Sequence, residues 1–159
     1  MVAFGRIRKP VLANLLEMLR DLQAAGMRVE ISSGFRDFYA QGRTYANWVA
    51  KAGQEAAQFY AARPGFSEHQ LGTAIDINPV ALKNKKQNYQ NQQGVYNWLM
   101  KNSYKYGFLL SYPKALENLT GYHYEPWHYR FVGKETAKEI FDSGISLIEF
   151  LYRKNGICL

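Results

Sequence analysis

Between Thr73 and Asn78 the chain reads Thr-Ala-Ile-Asp-Ile-Asn. An extended segment alternates its side chains between two faces. Ile75 and Ile77 then share one face, while Ala74, Asp76 and Asn78 share the other. The isoleucines require a core, and a carboxylate set between them is costly to bury unless it is paired or coordinated. Taken alone, Asp76 reads as an ion-pair partner or a turn-capping acceptor beside a half-buried strand.

The flanking segments supply what such a strand packs against. Pro10 starts a run with Leu12, Leu15, Leu16, Leu19 and Leu22 at helical spacing, and Gly26 supplies the stop. Val29 to Ser33 alternates apolar and polar residues, as a half-buried strand does. From Asp37 to about Ala61 the Ala-, Tyr- and Gln-rich chain reads as helix, with breaks at Gly42 and Gly53, and Arg63-Pro64-Gly65 is a turn. Val95, Trp98, Leu99, Asn102 and Tyr106 fit one helix face closed by Gly107. Tyr122–Tyr124 and Tyr129–Val132 read as strand pieces around Pro126. Short helices follow near Lys134–Asp142 and Ser146–Asn155, separated by Gly144. Helices and strands mix without a regular βαβ rhythm, which predicts an α+β fold with a small, mainly antiparallel sheet flanked by helices.

A chain of 159 residues suits one domain over 1–159 with a substantial core. Its 47% hydrophobic and 15% aromatic content exclude disorder. No apolar run is long enough to span a bilayer, so no membrane span is expected in this chain. Met1 to Arg6 lack the apolar stretch of a secretion signal, which leaves a cytoplasmic chain or the mature part of a longer one. Cys158, the single cysteine, excludes an internal disulfide and a cysteine-rich zinc cluster. The net charge of +7 points to polyanionic surroundings: nucleic acid, anionic lipid or an acidic cell wall. Its dense basic run, Lys83-Asn84-Lys85-Lys86, precedes the amide-rich Gln87–Gln93 and reads as a solvated loop. A nucleic-acid-binding domain rests on charge and scattered tyrosines alone, with no motif behind it.

His69 lies in a Gly- and Ser-containing turn just ahead of Thr73, so the chain can fold it back beside Asp76. Imidazole and carboxylate both suit zinc, but two ligands do not make a site. The other two histidines, His123 and His128, fall in Gly-Tyr-His-Tyr-Glu-Pro-Trp-His-Tyr-Arg-Phe-Val-Gly, residues 121 to 133, together with Glu125. A catalytic zinc needs three protein ligands, an open position and a nearby base. His69, Asp76 and one of His123 or His128, with Glu125 as base, match that inventory. Pro126 disfavours helical geometry at Glu125, so this is not a helical His-Glu-x-x-His site. In an unbroken strand His123 and Glu125 share a face, and periodicity does not choose the ligand. Arg36, in Ser-Ser-Gly-Phe-Arg-Asp-Phe-Tyr-Ala-Gln, is placed to grip a substrate carboxylate or stabilise an oxyanion, or to pair at the surface with Asp37 or Glu30.

Three motifs together, Ser33-Gly34-Phe35-Arg36, Ser67-x-His69-x6-Asp76 and Glu125-Pro126-Trp127-His128, resemble the VanY-like D-alanyl-D-alanine carboxypeptidases of the LAS group of zinc peptidases. The likeness runs from the first helix to Gly133. It implies a hedgehog/DD-peptidase-like fold and a Zn2+ ion held by His69, Asp76 and His128, with His123 a neighbouring residue. It makes Glu125 the general base that activates the attacking water and then protonates the leaving amine. Arg36, Gln41 and Ser67 match positions that hold the end of the peptide, and Trp127 either walls the pocket or is an ordinary core aromatic. Phe35 stands where the family commonly has Tyr, Asp37 where it has Ser, and Ser111 where it often has Arg. The implied activity is removal of the terminal D-alanine from peptidoglycan stem peptides, as a D,D- or L,D-carboxypeptidase. A cell-wall endopeptidase and a non-catalytic zinc-binding module are the alternatives. The chain is then expected to be a monomer without a nucleic-acid partner. It would work in the bacterial cell envelope or outside the cell, given a signal or anchor outside this chain.

Overall fold

The structure, a computed structural model, describes residues 6–82 and 85–156. Cys158, Met1 to Gly5 and the first half of the basic run, Lys83 and Asn84, lie outside the described residues.

Helix α1 (Lys9–Ala24) begins with Pro10 in its first turn, where the missing N–H costs nothing. Its core stripe is Val11, Leu15, Met18 and Leu22. Leu12 and Leu16 of the expected stripe sit about one residue's rotation away and stay 41% and 42% exposed. Gly26, at φ 78°, turns the chain into β1 (Val29–Ser33).

Four strands form one sheet in the order β1-β2-β4-β3, with β2 at Ala74–Pro79, β3 at Phe108–Leu110 and β4 at His128–Phe131. Every pairing is antiparallel. Ile77 pairs with Ile31 and Ile75 with Tyr129, so these side chains share the face that packs on α1. Val95 and Leu99 of α4 (Lys85–Asn102) complete that core. The alternation read at Thr73–Asn78 is realised: Ile75 and Ile77 are fully buried, and Asp76 occupies the other face.

Several local expectations are corrected. The helix after Asp37 is α2 (Phe38–Ala52), capped by the Asp37 carboxylate, which accepts from the Ala40 N–H at 2.7 Å. It runs through Gly42 without a break and stops at Gly53, where α3 (Gln54–Ala57) begins. At Gly42 the Pro64 ring packs alongside, 3.6 Å from where a Cβ would stand, an ordinary contact distance. Lys85, Lys86 and the amide run belong to α4, not to a loop. The Asn91 amide donates to the carbonyls of Arg28 (3.2 Å) and Val80 (3.3 Å), and Asn88 accepts from the Leu82 N–H at 3.0 Å. Those amides anchor a helix whose first half has little apolar surface. Tyr122–Tyr124 lies outside the sheet, in the loop after α5 (Glu117–Thr120).

β3 was not foreseen. It follows Gly107, φ 85°, where a Cβ would stand 2.7 Å from the Phe131 ring and 3.0 Å from the backbone of Gly133 and Lys134. Helices α6 (Lys134–Ser143) and α7 (Leu147–Lys154) follow as expected and close a second apolar cluster of Leu109, Ala137, Ile140 and Leu147. Among the described residues, no helix is long and apolar enough to cross a membrane.

Candidate metal centre and substrate cavity

On the face opposite the isoleucines, the sheet register sets Asp76 between Ser33 of β1 and His128 of β4. His69 arrives from a short 3-10 turn, Glu68–Leu71, reversed by Gly72 at φ 69°. That glycine is needed twice over, because a Cβ there would also stand 3.1 Å from the Arg8 side chain. The turn is pinned by Arg36 N–H donating to the His69 carbonyl at 3.3 Å.

His69, Asp76 and His128 thereby converge, with one potential ligand atom from each lying within 4.8 Å of the others. Their outer hydrogen bonds decide which atoms face inward. His69 Nδ1 donates to the Gly34 carbonyl at 2.7 Å, which leaves Nε2 facing Asp76 Oδ2 at 3.4 Å. His128 Nε2 donates to Glu68 Oε2 at 2.9 Å, and Nδ1 lies 3.0 Å from Asp76 Oδ1. Two imidazole nitrogens and a carboxylate aimed at one another form a cluster of acceptors that needs a cation. Without a metal, the carboxylates on either side of His128 favour a proton there in that role. Burial works against that charge, but the hydrogen bonds to Asp76 and Glu68 prevail and raise His128 to about 9. His69, by contrast, is pushed down by burial and stays neutral. Burial opposes ionisation of Asp76 too, yet its contact with His128 holds it well below the usual carboxylate range. A donor set of two imidazoles, both braced from behind, and one carboxylate fits zinc.

Glu68, in the same turn as His69, was given no role from the sequence. It touches three groups: His128, the Ser111 hydroxyl, which donates to Oε2 at 2.6 Å, and the Arg130 guanidinium, 3.0 Å from Oε1. Burial opposes its charge, but His128, Arg130 and Ser111 outweigh that and hold it at about 2. The sequence carried one usable signal: Arg130 shares its strand face with His128 by period-two spacing.

The metal candidates border a cavity of about 320 Å³ that also takes in Arg36, Gln41, Ser67, Glu125 and Trp127. Glu125 Oε2 lies 3.9 Å from His128 Nδ1. Burial raises the Glu125 carboxyl to about 7, with the Asp76 and Glu68 charges adding to the shift and His128 and Arg36 opposing it. Arg36 is lowered by burial and supported by the charges of Asp76 and Glu125. Gln41 donates to the Ala62 carbonyl at 2.7 Å, while its Oε1 and Arg36 Nε are buried without a hydrogen-bond partner. Trp127 is half-buried and its carbonyl accepts from the Ile77 N–H at 2.9 Å, so it belongs to the sheet margin as well as to the wall. His123 is not part of the cluster. It is exposed and packs on Tyr60, ring centroids 4.7 Å apart.

The family model described as VanY, D-alanyl-D-alanine carboxypeptidase, matches residues 5–134. The putative carboxypeptidase YodJ of Bacillus subtilis (strain 168) is 37% identical over 151 residues, 95% of this chain and 55% of the relative. A D-alanyl-D-alanine carboxypeptidase of Enterococcus faecalis (strain ATCC 700802 / V583) is 37% identical over 156 residues, 89% of this chain and 53% of the relative. The chain thus spans about half the length of these curated relatives. Among solved structures, a vancomycin-resistance D,D-pentapeptidase VanY mutant in complex with Zn(II) superposes with a TM-score of 0.81 at 34% identity, covering 95% of this chain and 86% of that one. The LdcB LD-carboxypeptidase gives a TM-score of 0.81 at 38% identity, covering 92% of this chain and 76% of that one.

Proposed function

Because the chain belongs to the VanY family of D-alanyl-D-alanine carboxypeptidases, we propose that residues 1–159 act as one zinc peptidase domain that removes the terminal D-alanine from peptidoglycan stem peptides. The observation that carries this reading is the converging His69, Asp76 and His128 set with Glu125 in the same cavity. His69 Nε2, an Asp76 carboxylate oxygen and His128 Nδ1 would hold the ion. When bound, zinc supplies Lewis acidity, which brings the pKa of water toward neutrality and polarises a carbonyl.

The chain's own groups do the rest. Glu125, at about 7, is poised to take a proton from the attacking water at neutral pH and return it to the departing amine. Arg36, beside Asp76 and Glu125, lies near the reacting centre, where a guanidinium meets developing oxyanion charge. Ser67 and Trp127 line the cavity that receives the peptide end. Gln41, whose amide donates to the Ala62 carbonyl, lines the same cavity as Arg36 and is a further contact for the peptide end. Glu125 separates the enzyme from a non-catalytic zinc module, which has no use for a base.

The cleaved bond is D,D in a pentapeptide or L,D in a tetrapeptide, and similar structures of both kinds exist. Work on peptidoglycan places the chain in the cell envelope or outside the cell. The test is incubation of zinc-loaded protein with muropeptide pentapeptides and tetrapeptides, reading product masses. Loss of one alanine from either substrate is the expected result, and the substrate that loses it fixes the bond. No loss from both refutes the reading.

A further inference from the structure

We propose that Glu68, braced by Arg130 and Ser111, is the positioning residue that sets His128 in its metal-binding tautomer. The assignment rests on the zinc-site reading above and adds residues that do not touch the ion.

Strand β4 fixes where the His128 ring starts, and partners on both nitrogens hold its orientation, because a flip about its terminal torsion would put ring carbons where Nδ1 and Nε2 now stand. Orientation alone does not fix which nitrogen of the neutral ring carries the proton. That choice falls to the partner behind the ring. An ionised carboxylate accepts and cannot donate. Glu68 at 2.9 Å therefore demands an N–H at Nε2, which leaves the Nδ1 lone pair free for a cation beside Asp76.

Glu68 can do this only if it stays charged and still, and two groups see to both. Arg130 lies two residues along β4 from His128, on the same face, and meets the second carboxylate oxygen at 3.0 Å. Ser111 donates to the first oxygen at 2.6 Å. Ser111 is neutral, so Arg130 supplies the cation to Glu68 from the sheet. Behind Glu68 lies a cavity of about 300 Å³ with Leu71, Leu147 and Leu151 in its walls. Among the described residues, no other carboxylate lines it to replace Glu68 if it is removed.

Zinc affinity of the full chain, measured by chelator competition, tests the assignment alongside the His128 tautomer read from ¹⁵N shifts of the metal-free protein at alkaline pH, where the ring is neutral. Glu68→Ala is expected to weaken zinc binding 10- to 100-fold, the usual cost of losing such an outer carboxylate. It should also scramble the Nε2–H signature of His128. Glu68→Gln keeps an acceptor oxygen but must turn its amide toward either Arg130 or Ser111, so a smaller loss of affinity is expected. A purely structural role would lower the melting temperature of the metal-free variants and leave the tautomer alone. If both variants fold and bind zinc within twofold of wild type with the tautomer unchanged, the assignment is wrong while the zinc site stands. If Glu68→Ala does not fold, Glu68→Gln and Ser111→Ala decide on the same two readouts. A wild-type chain that takes no zinc overturns the functional reading and this assignment together.

Discussion

Asp76 and His128 are directly paired residues of β2 and β4, with Asp76 Oδ1 3.0 Å from His128 Nδ1. Two of the three metal candidates are thus held by one rung of an antiparallel ladder. The same register that buries Ile75 against Tyr129 on one face presents the acid and the imidazole on the other. A slip of one residue would send Asp76 into the core and an isoleucine into the cavity. Core and site are consequently specified by the same pairing.

The charge on that rung makes the metal-free protein pH-sensitive. His128 is raised from 6.5 to about 9 in the folded chain, so its contribution to stability is complete below pH 6.5 and is lost as pH rises toward 9. Glu125, raised from 4.5 to about 7, binds its proton more tightly folded than unfolded and acts with the same sign between those values. Glu68 has the opposite sense: its contribution is complete above 4.5 and lost as pH falls toward 2. Melting of chelator-treated protein is expected to fall from pH 6.5 to 9; below 6.5 His69, whose pKa burial lowers, acts with the opposite sign. Added zinc should offset the loss above pH 6.5, because the cation takes the place of the His128 proton. A melting temperature that rises across that upper range in the metal-free chain would contradict the pairing.

Glu125→Gln removes the proton acceptor and leaves the converging donors untouched. Hydrolysis of the muropeptide substrate is expected to drop about 10²- to 10⁴-fold, the span typical of a general base. Zinc affinity should stay close to wild type, because Glu125 is not one of the three converging groups. Full hydrolytic activity in the variant would remove the glutamate from the mechanism.

What was legible in the sequence was whatever repeats with a short period or sits in a tight turn. Ile75, Asp76 and Ile77 announced their strand because alternation is local, and Gly26, Gly53, Gly107 and Gly144 marked ends that the structure keeps. β3 has only Phe108–Leu110, too short to show a period. The start of α4 is held by Asn88 and Asn91 reaching other backbone segments, and amide anchors leave no hydrophobic pattern. His123 and His128 could not be ranked from alternation because Tyr122–Tyr124 is loop and the strand begins only at His128. Glu68 was missed for a related reason. Its meaning comes from Ser111 and Arg130, which are distant in sequence and meet it only in the fold.

Gly107→Ala tests how tightly the outer edge of the sheet is built. The added methyl would stand 2.7 Å from the Phe131 ring and 3.0 Å from the backbone of Gly133 and Lys134, at φ 85°. Overpacking of this kind typically costs about 1–3 kcal/mol, with left-handed backbone strain in addition. In a chain of this size each kcal/mol lowers the melting temperature by about 2–4 °C. A drop of several degrees by calorimetry is expected, with zinc affinity largely kept since β3 contributes no donor to the cluster. An unchanged melting temperature would mean that the β3–β4 edge is looser than described.

Arg36→Lys separates two ways in which a cation can serve this cavity. Lysine keeps the charge and loses the planar fork, so the variant reports on geometry more than on field. If Arg36 grips the substrate's terminal carboxylate, the loss appears in KM, since that contact is equally present in ground and transition states. If it faces the developing oxyanion, the loss appears in kcat, where removal of one donor commonly costs about 10²- to 10³-fold. The charges that support Arg36 are Asp76 and Glu125, two groups of the reacting centre. That placement favours the oxyanion. We therefore expect steady-state kinetics on the muropeptide substrate to show a fall in kcat with KM changed by less than about threefold, a shift worth under about 0.7 kcal/mol. A rise in KM with kcat preserved would move Arg36 to the carboxylate and leave the oxyanion to other groups.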